Sequence, residues 1–323
     1  MRIVVLDGHT LNPGDNPWDE IARLGELIVH ERSAPAEVPE RAAGAEVILL
    51  NKTPLRADVL AGLPRLRHIS VLATGYDIVD VEAAGKLGIS VSNAPAYGIE
   101  AVAQQVMSLL LELCRGVGRH DASVKRGDWA KSPDWCYWLS PQRELAGQVM
   151  GIIGFGNNGR RVGELAHAFG MEVLAYTVPA GEPPAYRPFR FVELEELFRA
   201  SDVISLHCPL TEESRNIINE DSLGRMKPGS FIINTARGPL ADEKAVGTAL
   251  VSGQLGGYGA DVLSVEPPEP DNPLLTAPNC LITPHIAWAT LQARKNIMGI
   301  VAGNIKAYLA GQPVNVVNAG FLA

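Results

Sequence analysis

Short apolar runs of β character alternate with helical stretches twice along this 323-residue chain. That alternation limits the possible folds more than any other feature. In the first block the β-like runs are Arg2 to Leu6, Glu26 to His30, Glu46 to Leu50, His68 to Leu72 and Ile89 to Asn93, with helix-like segments such as Asp80 to Leu87 between them. In the second block they are Val149 to Ile153, Glu172 to Tyr176, Val203 to His207, Ser230 to Asn234, Gly256 to Asp261 and Cys280 to Thr283. Repeated strand–helix–strand units build parallel sheets covered by helices. The sequence therefore predicts an α/β protein with two Rossmann-like, doubly wound parallel sheets. The length suffices for two cores.

Pro95 and Gly98 interrupt the first block. Val102, Val106, Leu109, Leu110, Leu113 and Val117 then recur at helical spacing and predict one long helix. A last helix carries Ile297, Ile300, Val301, Ile305 and Tyr308 on one face. It is expected to return to the first domain, because the second sheet is already complete without it. The expected domains are thus 1–98 with 289–323, and an inserted domain at 99–288. Residues 120–146 read as irregular and aromatic, with Trp129, Trp135, Tyr137 and Trp138. They form either a packed surface loop or an arm buried against a second subunit, since clustered exposed aromatics mark interfaces.

Lys and Arg total 28 against 36 Asp and Glu, a net charge of −8, and no basic cluster offsets it. A nucleic-acid partner is not expected. The cysteines Cys114, Cys136, Cys208 and Cys280 are dispersed with no Cys-x-x-Cys pair. No disulfide framework or metal site is expected, and a reducing compartment fits. The N-terminal apolar run is too short for a signal peptide or a membrane span and ends at Asp7. The expected location is the cytoplasm, with no membrane partner.

Gly154-Phe155-Gly156-Asn157-Asn158-Gly159 has the spacing Gly-x-Gly-x-x-Gly. Alone, such a pattern is a common Gly-rich turn. Here a β-like run precedes it, and Val162, Leu165, Ala166 and Phe169 form a helical stripe after it. Gly154 allows the tight turn, Gly156 lets backbone approach a pyrophosphate, and Gly159 lets helix and strand pack closely. The N–H groups at the helix start then favour the phosphates. About twenty residues on, an acid would hold the ribose 2′-hydroxyl of NAD. Thr177 stands there instead, and no arginine follows directly; Arg187 and Arg190 come later. The reading is a slight preference for NAD(H), with NADP(H) open.

Arg237, Glu266 and His285 each follow a β-like run, where ligands bind in open parallel sheets. Singly, each has an ordinary explanation: a solvated loop arginine, a loop charge before Pro267, a satisfied histidine. Together, downstream of a dinucleotide turn, they read as a catalytic set. The guanidinium suits a carboxylate and an adjacent carbonyl. His285 would exchange the substrate proton. A carboxylate such as Glu266 beside an imidazole favours its protonated form and fixes which ring nitrogen faces the substrate. Cys208 reads as packing, since its neighbour His207 would point to the other face of the strand. Asp261 at a strand end is equally the kind of residue that caps a turn.

These residues are similar to those of the D-isomer-specific 2-hydroxyacid dehydrogenases, with the closest likeness to the glycerate dehydrogenase/hydroxypyruvate reductase branch. The likeness runs through Val4 to Gly8, Asn51 to Leu55, Leu72 to Asp77, Pro95 to Gly98, the Gly154 turn, Thr235 to Gly238, Asp261 to Pro268 and Pro284 to Trp288. The resemblance implies two Rossmann-like domains with a cleft between them, usually as a homodimer. It implies that Arg237, Glu266 and His285 are catalytic, and that Cys208, Pro209, Thr235, Ala236 and Asp261 line the nicotinamide side. It also implies that Thr74 and Gly75 bind substrate together with Arg237 and His285. The expected reaction is hydride transfer between a nicotinamide cofactor and a small D-2-hydroxy acid, hydroxypyruvate/D-glycerate or glyoxylate/glycolate. Thr177 in place of an acid, and Asn158 in place of an apolar residue, depart from the family pattern. The alternative from another class is a dinucleotide-sensing, corepressor-like protein on the same fold.

Overall fold

A computed structural model describes residues 1–322. The chain divides into two compact units, one of Met1–Gly98 with Trp288–Ala323 and one of Ile99–Ala287.

The first unit is built on a five-stranded parallel sheet. Its strands are β1 (Arg2–Val5), β2 (Glu26–Val29), β3 (Val47–Leu50), β4 (His68–Val71) and β5 (Ser90–Ser92). They lie in the order β2-β1-β3-β4-β5, so the winding reverses between β1 and β3. β3 is buried along its whole length and reads as a continuous apolar run; β4 is equally buried, with His68 and Ser70 alternating with Ile69 and Val71. The helix Leu291–Leu309 packs Ile297, Val301 and Ile305 against Ile3, Val5, Val47 and Leu49.

The second unit has a seven-stranded parallel sheet. Its strands are β6 (Val149–Ile153), β7 (Glu172–Tyr176), β8 (Phe189–Phe191), β9 (Val203–Leu206), β10 (Ser230–Asn234), β11 (Leu255–Ala260) and β12 (Cys280–Ile282). The order is β12-β11-β10-β9-β6-β7-β8. The winding reverses between β6 and β9, and in such sheets the crevice at that point is where ligands bind. The helix Ile99–Arg115 buries Ala103, Val106 and Leu110 in the core that includes Met150, Ile152 and Phe231. Val106 and Leu110 each contribute roughly 1.5–3 kcal/mol by leaving water.

Three local expectations need correction. The helix predicted through Val117 stops at Arg115, because Gly116 adopts the left-handed conformation at φ 55° and ψ 41°. Residues 120–146 are not irregular throughout, since a second helix runs Val117–Lys125. β8 was not expected; its Phe-Arg-Phe is too short for periodicity to register, and it sits at the sheet edge.

Candidate active site

The turn after β6 carries out three separate tasks with its three glycines. Gly154 lies at φ 95°, where side chains are strained, and its N–H donates to the Tyr176 carbonyl at 2.8 Å. A Cβ there would stand 2.4 Å from the Cys208 nitrogen, so the glycine lets the turn meet the end of β9 at the winding reversal. A Cβ on Gly159 would stand 2.1 Å from the Gly154 oxygen, whereas one on Gly156 would meet nothing within 4 Å. Gly154 and Gly159 hold the turn closed, and Gly156 between them keeps it open to a ligand.

The helix Asn157–Ala168 starts at Gly156 with no side-chain cap and no acidic residue in its first turn. Its first N–H groups have no intrahelical partner, so Asn157, Asn158 and Gly159 present backbone donors and a positive dipole end to whatever binds. These features fit a dinucleotide pyrophosphate. Thr177, half-buried, directly follows β7. Cys208 and Pro209 follow β9. Burial pushes the Cys208 thiol up, away from a reactive thiolate. The His207 ring bonds the Ser205 hydroxyl at 2.8 Å rather than Cys208.

After β10 the chain turns through Thr235, Ala236 and Arg237. Fully buried Asn234 governs this turn. Its Oδ1 accepts the Ala236 N–H at 3.1 Å, and its Nδ2 donates to the Arg237 carbonyl at 2.9 Å. The Arg237 guanidinium donates through Nη1 to the Ala236 oxygen at 2.8 Å, which curls the side chain back over its own turn. The buried Thr235 hydroxyl has no hydrogen-bond partner among the described residues. A buried polar atom left unsatisfied is costly.

Gly238 then lets two loops meet. A Cβ there would lie 2.0 Å from the Leu263 carbonyl carbon and 2.3 Å from the Ser264 nitrogen. The loop it touches carries Glu266. Glu266 Oε1 accepts the Leu263 N–H at 3.0 Å, and Oε2 lies 2.6 Å from His285 Nδ1. Glu243, in the first turn of the helix Glu243–Ser252, pins the same loop by accepting the Ser264 N–H at 2.6 Å and an Asn272 amide N–H at 2.7 Å.

His285 itself is left-handed at φ 55°, an uncommon and strained state for a residue with a side chain. Buried Asp261, just past β11, holds it there. Asp261 Oδ1 accepts the Thr283 hydroxyl at 2.5 Å and the Ile286 N–H at 2.9 Å, and Oδ2 accepts the Ala287 N–H at 2.7 Å. Gln105 donates to the Thr283 hydroxyl at 3.1 Å. Asp261 thus caps the turn that presents His285, the structural role open to it from the sequence.

In the first unit, Thr74 and Gly75 lie in the turn after β4. The Thr74 hydroxyl donates to the Ala94 carbonyl at 2.9 Å, and Asn93 Nδ2 donates to the Thr74 carbonyl at 2.8 Å. The bend at 72–74 is fixed by these bonds, and Gly75 directly follows it.

Asn234, Gly238, Glu243, Gln105 and Thr283 were not among the predicted site residues. One sign was available for Asn234: it closes the apolar run Phe231-Ile232-Ile233 at a position the strand buries, and a buried amide needs partners. The others act across loops, and sequence spacing does not reveal that. Among the described residues, no group of histidine, cysteine, aspartate or glutamate side chains is arranged to hold a metal ion. None of their helices is long and apolar enough to cross a membrane.

Comparison with known proteins shows the family. Residues 107–287 match the family model described as D-isomer specific 2-hydroxyacid dehydrogenase, NAD binding domain. The chain is 47% identical over 321 residues to a hydroxypyruvate reductase of Blautia hydrogenotrophica, covering 98% of this chain and 100% of that one. It is 43% identical over 287 residues to a glycerate dehydrogenase of Methylorubrum extorquens, covering 88% and 89%. A D-lactate dehydrogenase from Aquifex aeolicus, solved with NAD and lactic acid, superposes with a TM-score of 0.84 at 30% identity, covering 99% of each chain.

Proposed function

The chain belongs to the D-isomer specific 2-hydroxyacid dehydrogenases, and from that premise we propose that it interconverts hydroxypyruvate and D-glycerate and reduces glyoxylate by the same chemistry. It is an oxidoreductase of 2-hydroxy and 2-keto acids that uses a nicotinamide cofactor. The inserted unit, 99–287, is the dinucleotide domain and the other unit the substrate domain. The observation that carries the catalytic assignment is the 2.6 Å contact between His285 Nδ1 and Glu266 Oε2.

When bound, the nicotinamide supplies or accepts the hydride. Arg237 binds the substrate carboxylate and polarises the neighbouring carbonyl with its planar fork. With Nδ1 committed to Glu266, proton exchange falls to His285 Nε2. In reduction that nitrogen gives its proton to the oxygen on which negative charge develops, and in oxidation it takes the proton back. Glu266 sets the ring's orientation, itself steadied by the Leu263 N–H. Thr74 and Gly75 are read as offering backbone donors to the substrate. Thr235, Ala236 and Asp261 belong to the nicotinamide side, and Cys208 and Pro209 pack there.

NAD(H) is the preferred cofactor in this reading. The Thr177 hydroxyl can bond a ribose hydroxyl, and no arginine follows it directly. The working form is a homodimer. The support is Trp129, Trp135 and Trp138, which are 51%, 86% and 69% exposed on the segment after Val117. Four unpaired cysteines fit the cytoplasm.

The test is direct. Protein, NADH or NADPH, and a panel of 2-keto acids are mixed, and loss of reduced nicotinamide is followed. Hydroxypyruvate is expected to give the highest kcat/KM. Cofactor binding with no turnover on any keto acid would overturn the assignment in favour of a dinucleotide sensor.

A further inference from the structure

The segment 314–318 lies along β5, the edge strand of the first sheet. Ser92 forms an antiparallel bridge with Val316, and its hydroxyl donates to the Val314 carbonyl at 2.7 Å. The Val317 N–H donates to the Val91 carbonyl at 2.8 Å. Fully buried Asn318 locks the same segment: Oδ1 accepts the Val91 N–H at 2.9 Å, and Nδ2 donates to the Ile89 carbonyl at 2.9 Å. These bonds cover a sheet edge that would otherwise be open to another chain.

Covering an edge does not require the bonds made just past β5. The Asn93 N–H donates to the Asn315 carbonyl at 3.1 Å. Asn315 is left-handed at φ 53°, a conformation that asparagine tolerates better than most residues. Its Nδ2 donates to Asn304 Oδ1 at 2.8 Å. Buried Asn304, in the helix Leu291–Leu309, donates through Nδ2 to the Asn93 carbonyl at 2.9 Å. Both backbone groups of Asn93 are therefore held from the C-terminal part of the chain. Its side chain serves the neighbouring loop, where Nδ2 donates to the Thr74 carbonyl at 2.8 Å. The Ala94 N–H donates to the Ala73 carbonyl at 2.9 Å.

A trans peptide is planar, and its C=O and N–H point to opposite sides. The Ala73 carbonyl shares a plane with the Thr74 N–H, and the Thr74 carbonyl shares one with the Gly75 N–H. Holding each carbonyl from residues 93 and 94 thus sets the direction of each N–H. Among the described residues, neither the Thr74 nor the Gly75 N–H is spent on a protein acceptor. The geometry points to Asn93 as a positioning residue for the substrate, aiming the Gly75 N–H, with Asn304 and Asn315 holding Asn93 in place. The inference rests on the reading of Thr74 and Gly75 as substrate donors. Donors that hold a substrate carboxylate do so before and during reaction alike, so their loss raises KM and leaves kcat in place.

Steady-state kinetics with NADH and hydroxypyruvate, beside NADH dissociation constants from nicotinamide fluorescence, tests this. Asn93→Ala should raise the KM for hydroxypyruvate about tenfold, the scale of one hydrogen bond. Its kcat and NADH affinity should stay within about twofold of wild type. Asn315→Gly keeps the left-handed backbone and removes one amide, and should raise KM about two- to threefold. A lowered kcat at unchanged KM would make Asn93 structural and overturn the proposal. So would a wild-type KM in Asn93→Ala. If Asn93→Ala does not fold, Asn315→Gly decides alone, and an unchanged KM there overturns the proposal. A wild-type chain that binds NADH but turns over no 2-keto acid would instead remove the substrate reading of Thr74 and Gly75, and the proposal with it.

Discussion

Asp7, two residues past β1, and Asp261, one residue past β11, are both carboxylates that accept N–H groups from the loop after a neighbouring strand. Asp7 takes the N–H groups of Asn51, Lys52 and Thr53 at 2.8, 2.6 and 2.7 Å. Asp261 takes those of Ile286 and Ala287, and the Thr283 hydroxyl as well. The device is shared, but its load differs. The loop tied by Asp7 has no left-handed residue at 51–53, while the loop tied by Asp261 holds His285 at φ 55°. A strained residue of this kind costs on the order of 1–3 kcal/mol and persists only where its surroundings over-determine it. The second unit provides that over-determination through Asp261, Glu266, Thr283 and Gln105. The comparison separates a bond that orders a loop from one that also aims a proton.

The sharpest separation comes from the aimed group itself. His285→Ala should lower turnover by about 10²–10⁴-fold, the usual worth of a positioned acid–base group, with dinucleotide affinity little changed. Equal losses in turnover and cofactor affinity, by steady-state kinetics and titration, would make His285 structural.

Acid tests the first unit by a different route. His68 is fully buried in β4, bonds the Ser90 hydroxyl at 2.8 Å and stacks on Tyr308 with ring centres 4.7 Å apart. Burial pushes its pKa down from 6.5 to about 4. Between those values the unfolded chain binds a proton that the folded chain does not. Stability is therefore full above about pH 6.5 and falls as pH drops toward 4, by on the order of 3 kcal/mol. Denaturant midpoints measured from pH 7 to pH 5 should fall, and His68→Gln should flatten the slope. A wild-type midpoint that does not move would remove His68 as the cause.

Much of this architecture was legible because the physics is local. Continuous apolar runs announce buried parallel strands, and the glycine spacing between a strand and a helical stripe announces the phosphate turn. Arg237, Glu266 and His285 were singled out for a related reason: each follows a strand, where open sheets bind ligands, and the structure brings Glu266 and His285 together. What escaped was whatever depends on loops meeting. Nothing in Gly238 itself shows that Leu263 and Ser264 pass within contact of it. Nothing in Asn93 shows that its carbonyl meets Asn304, 211 positions further on. Gly116 escaped because hydrophobic spacing continued through it, although its backbone could not.

The paired aspartates can be compared directly. Asp261→Asn replaces one acceptor oxygen by a donor facing groups that themselves donate. Charged hydrogen bonds contribute about 1.5–3 kcal/mol each, so a stability loss of about 2 kcal/mol is expected, with kcat down roughly ten- to a hundredfold as His285 loses its aim. Asp7→Asn should cost similar stability and leave kcat close to wild type. If it lowers kcat as much as Asp261→Asn does, the distinction between ordering and aiming fails.

The smallest expected effect probes how far aiming extends beyond the carboxylates. Gly238 is not in the left-handed region, so alanine there is opposed by space alone. Its Cβ would fall 2.0 Å from the Leu263 carbonyl carbon, and backbone must move. Leu263 supplies the N–H that steadies Glu266, and Glu266 holds His285. Overpacking of this kind costs about 1–3 kcal/mol in stability. A displacement well under 1 Å at Glu266 should lower kcat roughly tenfold, since a full ångström can cost about a hundredfold. Glu243→Gln loosens the same loop from its other side by weakening the bonds to Ser264 and Asn272, and should move kcat in the same direction. If Gly238→Ala folds and keeps wild-type kcat, the loop is only a tether, and the aiming of His285 ends at Glu266 and Asp261.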